Sequence, residues 1–82
     1  REPLAFEFLP RAFTLTQLQR FYETVLGAPL DKRNFRKKVL SYGILEELDE
    51  FEAGAAHRAA RLHRFDRDAW ERLRASEGSF SV

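Results

Sequence analysis

The chain has 82 residues, 44% of them hydrophobic, with eight Phe, no Cys and a formal net charge of +1. That length holds one domain rather than two, and the apolar content builds a packed core rather than a disordered segment. The absence of cysteine excludes disulfides, thiolate zinc sites and cysteine nucleophiles, and fits a cytoplasmic setting. No apolar run approaches the roughly 20 residues that a membrane helix requires. A chain that opens on Arg1 and contains no Met reads as a piece of a longer protein, cut at a domain boundary.

Pro3 is placed to open a helix over 3–9, with Leu4 and Phe8 on one face and Pro10 closing it. A short strand is predicted over 13–15. Thr16 and Gln19 match a capping box for a helix over 16–26. Its Leu18, Phe21, Tyr22, Val25 and Leu26 form one apolar stripe at helical spacing, and Gly27 stands where a left-handed cap belongs. Ala28-Pro29-Leu30 makes a tight turn, after which Asp31 is an N-cap for a helix over 31–42. Phe35, Val39 and Tyr42 face inward on that helix, Gly43 ends it, and Leu40 is expected to pack toward the segment that follows.

Residues 44–48 and 60–65 read as strands of a hairpin, with residues 49–59 as its wing. Asp66 caps a last helix over 66–75, with Ala69, Trp70 and Leu73 inward, and residues 76–82 form a tail. The resulting fold class is α+β and mostly helical. It is a single winged helix-turn-helix domain over 1–82, carrying a small antiparallel hairpin or a three-stranded sheet.

The near-zero net charge hides a strong pattern. Residues 31–38 carry five positive charges and one negative, whereas residues 46–52 carry five negative and none positive. A field concentrated on one face attracts phosphates even when the total is small. At 100° per residue, Arg33 and Lys37 lie opposite Phe35, Val39 and Tyr42, with Asn34 and Arg36 flanking and Lys32 and Lys38 at the borders. Arginine pairs with guanine and asparagine with adenine, so Arg33, Asn34 and Arg36 are candidates for reading bases, and Lys32 and Lys37 for holding phosphate. Thr14, Thr16 and Gln17 start the preceding helix, whose free amides suit a phosphate. His57, Arg58 and Arg61 are candidates for a wing contact to the DNA backbone or minor groove. The competing reading of the basic helix is a solvated charged face.

No catalytic or metal residue is assigned. His57 and His63 lack metal-ligand spacing, Glu46 and Glu47 point to opposite faces of a strand, and no glycine-rich phosphate loop is present. No cofactor is expected.

The run Phe13–Gly27, then Pro29-Leu-Asp-Lys-Arg-Asn-Phe-Arg-Lys-Lys38, resembles the C-terminal winged-helix domain of the Nudix-related transcriptional regulators, and Ala60-Arg-Leu-His-Arg-Phe65 resembles the strand after its wing. The resemblance implies sequence-specific binding of a palindromic double-stranded operator through Lys32, Arg33, Asn34, Arg36 and Lys37. It also implies a homodimer in the full-length parent, in the bacterial cytoplasm and on the nucleoid when bound to DNA. An N-terminal Nudix-like domain would sense a ligand such as ADP-ribose, and many members control NAD metabolism. No Nudix box occurs in these residues, so neither hydrolysis nor ligand sensing is assigned to them. The wing is also less basic than the family pattern. The alternative function is a protein-interaction or dimerisation module of a Nudix hydrolase, such as an ADP-ribose pyrophosphatase-like protein.

Overall fold

The computed structural model describes residues 8–53 and 59–77. Residues 3–7 of the expected first helix, 54–58 of the wing and 78–82 of the tail lie outside them; Phe8 is helical. The described elements are α1 (Leu15–Leu26), α2 (Lys32–Ser41), β1 (Leu45–Phe51), β2 (Arg61–Phe65) and α3 (Arg67–Glu77). Together they form a helix-turn-helix followed by an antiparallel hairpin and a closing helix, the winged-helix arrangement.

The start of α1 differs from expectation. Thr14-x-x-Gln17 and Thr16-x-x-Gln19 both match the capping pattern, and the chain uses the first. The Thr14 hydroxyl accepts from the Gln17 amide at 3.1 Å, and the Gln17 side chain accepts from the Thr14 amide at 2.8 Å. The reason lies one residue upstream. Phe13 exchanges both backbone hydrogen bonds with His63, at 2.9 and 2.7 Å. That pairing holds the chain extended up to Thr14 and shortens the expected strand over 13–15 to a single bridge. Replacing Thr14 by Ala is expected to destabilise the domain by about 1 kcal/mol, lowering the thermal midpoint by roughly 4–8 °C. A midpoint that does not move would return the cap to Thr16.

Residues 27–31 join the helices. Gly27 adopts φ 72°, and the backbone amides of Gly27 and Ala28 both donate to the Glu23 carbonyl. Two α1 side chains then hold Leu30: its amide donates to Glu23 Oε2 at 2.8 Å, and its carbonyl accepts from Gln19 Nε2 at 3.1 Å. The Leu30 amide, with help from Gln19, holds the Glu23 carboxyl below its ordinary range. Asp31 caps α2, its carboxylate accepting from the Asn34 amide at 2.8 Å.

The core gathers Phe13, Leu18, Phe35 and Val39, with Leu9, Leu15, Phe21, Tyr22, Leu30 and Leu45 packed around them. Tyr22 and Phe35 bring their rings to 6.0 Å across the two helices. Burial, helped by Tyr42, pushes the Tyr22 phenol up to about 12, so it stays neutral at physiological pH. The α1 stripe is buried only in part, because Val25 and Leu26 are 52% and 54% exposed. Leu40, expected to pack toward the hairpin, is 48% exposed. It stands about 100° round the helix from Val39, clear of the inner face.

The hairpin extends further than the expected strand over 44–48. Leu45, Glu46 and Glu47 pair with Phe65, Arg64 and His63, and the ladder resumes at Phe51 with Arg61. Between these pairs Leu48, Asp49 and Glu50 stand opposite Leu62 alone, so β1 bulges. The Glu52 amide reaches the Ala60 carbonyl at 2.8 Å, which carries pairing into residues expected to form the wing. In α3, the Asp66 carboxylate accepts from the Ala69 amide at 3.0 Å, and Trp70 is buried beside Phe65.

Candidate nucleic-acid interface

Helix α2 is built with two unlike faces. Phe35 and Val39 are buried and fix its rotation against α1, which leaves Lys32, Arg33, Asn34, Lys37 and Lys38 exposed. Among the described residues, none of these five side chains makes a hydrogen bond or an ion pair. Four cations thus stand uncompensated on one helix, and Asn34 stands beside them. Asp31, Lys32, Arg33 and Arg36 border a shallow hollow at the start of the helix.

Arg36 is placed differently from its neighbours. It is half-buried, and its Nη2 donates to Thr16 Oγ1 at 3.0 Å, tying the middle of α2 to the first turn of α1. Its Nε is buried without a hydrogen-bond partner among the described residues. The α1 start is therefore brought next to α2, with Thr16 half-buried and Gln17 exposed.

Two candidates are engaged within the fold. Thr14 is 3% exposed and its hydroxyl caps α1, so it presents nothing to a ligand. Burial follows from the backbone pairing of Phe13 with His63, which draws Thr14 inward. Arg61 is engaged within the hairpin rather than held out from it. Its guanidinium donates to the Leu48 carbonyl at 2.8 Å, lies 3.6 Å from Glu47 and sits 4.7 Å over the Phe51 ring. The carbonyl freed by the β1 bulge is what Arg61 satisfies. Arg64 is paired likewise, with Glu46 at 2.6 Å. The acidic run is thus partly neutralised by the opposite strand, and its remaining charges discourage pairing along the β1 edge. His57 and Arg58 lie outside the described residues.

Gln19 and Glu23 were missed as positioning residues. Their spacing of four on one helix face, directly before a turn containing Pro29, was the available signal. Among the described residues, no group of three or more His, Cys, Asp or Glu is placed to hold a metal ion, and no helix is long and apolar enough to cross a membrane.

This geometry agrees with what the chain is similar to. The family model described as the NrtR DNA-binding winged helix domain matches residues 5–65. The ADPR responsive transcriptional repressor NtrR of Acinetobacter baylyi (strain ATCC 33305 / BD413 / ADP1) is 42% identical over 62 residues. The match takes in 76% of this chain but spans only 24% of that relative's length.

Proposed function

The chain belongs to the family of NrtR DNA-binding winged helix domains, and from that premise we propose that α2 reads a palindromic operator for a ligand-responsive bacterial regulator. One observation carries the reading: Lys32, Arg33, Asn34, Lys37 and Lys38 stand exposed and unengaged on the face of α2 opposite its buried anchors. The major groove admits a helix, and this face brings it both charge and hydrogen-bonding groups. Arg33 and Asn34 reach base edges, while Lys32, Lys37 and Lys38 reach phosphate. Thr16 and Gln17 at the start of α1 add a neutral phosphate contact. His57 and Arg58 remain wing contacts in this reading, secondary to α2.

The parent protein acts as a homodimer, so that two copies of α2 meet two half-sites. Its effector is bound by a Nudix-like domain outside these residues. The relative's description as ADPR responsive supports an ADP-ribose-like effector, and the resemblance to the Nudix-related regulators extends the reading to control of NAD or sugar metabolism. The protein resides in the cytoplasm, on the nucleoid when bound to DNA.

Enrichment of duplexes from a randomised pool by the full-length protein tests the reading. Wild type is expected to enrich one palindromic motif. Arg33→Ala should weaken binding to it by about 1–3 kcal/mol and relax preference at one position of each half-site. A wild type that enriches no motif, but self-associates in sedimentation, would instead favour the interaction-module function.

A further inference from the structure

We propose that Arg36 is a positioning residue, which sets the docking of α2 through Thr16 instead of reading a base. This rests on the DNA-binding reading of α2. The bond from Arg36 Nη2 to Thr16 Oγ1, 3.0 Å long, joins residues twenty apart in sequence. It is a side-chain to side-chain hydrogen bond between α1 and α2, and both partners are half-buried.

The chemistry of the two groups gives the bond a direction. A guanidinium only donates, so Arg36 occupies a lone pair of the Thr16 oxygen and leaves the hydroxyl proton unengaged. Among the described residues, the Thr16 hydroxyl makes no other hydrogen bond. Donation from a cation polarises the hydroxyl and strengthens it as a donor in turn. Thr16 is thereby prepared to donate to a phosphate oxygen, and Arg36 decides where that donor stands relative to α2.

The same geometry withdraws Arg36 from base reading. Its Nε is enclosed and its Nη2 is engaged by Thr16. The side-on fork of Nε and Nη2, one of the ways an arginine grips a guanine edge, is closed. Arg33 is three residues earlier and exposed, and keeps that role.

The test compares R36A, R36K, T16V, T16S and the R36A/T16V double variant in the full-length protein, on the duplex that wild type enriches from a randomised pool. R36A and T16V should each weaken binding roughly tenfold. The double variant should be no weaker than the worse single, and T16S should stay close to wild type. Every variant should enrich the same motif, and R36A should keep the wild-type slope of log affinity against log salt. Relaxed preference at one base position in R36A would make Arg36 a reader. A slope lower by about 0.9 would make it a phosphate contact. Losses that multiply in the double variant would remove the coupling. Each of these three results overturns the assignment alone, while a wild type that enriches nothing overturns the DNA-binding premise together with it. Thermal melts identify a variant that does not fold. If R36A is one, R36K takes its place: an unchanged motif supports positioning and a relaxed position refutes it.

Discussion

Phe13→Ala is expected to lower the stability of the domain by about 3–5 kcal/mol, the largest effect of any single substitution considered for this chain. An 82-residue domain has roughly 4–12 kcal/mol of stability to lose, at about 0.05–0.15 kcal/mol per residue. Phe13 is 1% exposed and belongs to the cluster with Leu18, Phe35 and Val39, where α1 and α2 meet. Its backbone also makes both hydrogen bonds of the bridge to His63, so the ring pins the segment that joins the helices to the hairpin. Truncation opens a cavity at that junction, and a well-packed small core collapses into it only partly. The thermal midpoint should fall by at least about 12 °C, taking 4 °C per kcal/mol as the lower bound for a domain of this size. Leu40→Ala is the matched control: Leu40 is 48% exposed, and the loss should stay within about 0.5 kcal/mol. Equal losses at the two positions would mean that the core lies elsewhere.

The features that could be read from the sequence are those whose cause is local. Gly27 ends α1 because a left-handed backbone there needs glycine, and Asp31 begins α2 because its carboxylate reaches back to the Asn34 amide. The inward face of α2 follows from a spacing of four between Phe35 and Val39, and with that face fixed its basic side must point outward. The order of elements then gives the winged-helix class. What stayed hidden depends on partners distant in sequence. Two threonines offered equivalent caps, and the choice between them was made by the pairing of Phe13 with His63, fifty residues away. Gln19 looked like half of a capping box until Leu30 claimed its amide. Charge patterning gave the sign of Arg36 and Arg61 but not the oxygen each would meet, so two residues grouped with the free cations turned out to be engaged within the fold. The bulge in β1 has a faint local trace, since Leu45, Leu48 and Phe51 recur every three residues where a regular strand alternates every two.

The distinction between free and engaged cations yields the second large effect. Lys32, Arg33, Lys37 and Lys38 are exposed and unengaged among the described residues. If all four displace counterions from phosphates, log affinity per domain should fall against log salt with a slope of about −3.6. Raising salt from about 50 to 200 mM then weakens binding by roughly 10²-fold. Reversing charge at two of these positions, Arg33→Glu with Lys37→Glu, removes two attractions and adds two repulsions. Affinity for the enriched duplex should drop on the order of 10³-fold or more, and the slope should shrink by about 1.8. Arg61→Ala provides the contrast, because Arg61 is already occupied by Glu47, the Leu48 carbonyl and the Phe51 ring. Its loss should affect the melting temperature more than the salt slope. Both quantities come from anisotropy titrations at four or five salt concentrations, with a melt of each variant alongside. A slope that the double reversal leaves unchanged would remove α2 from the interface. A slope that falls with Arg61→Ala would mean that the hairpin gives up its internal ion pair to reach DNA, making the wing an equal partner of the helix.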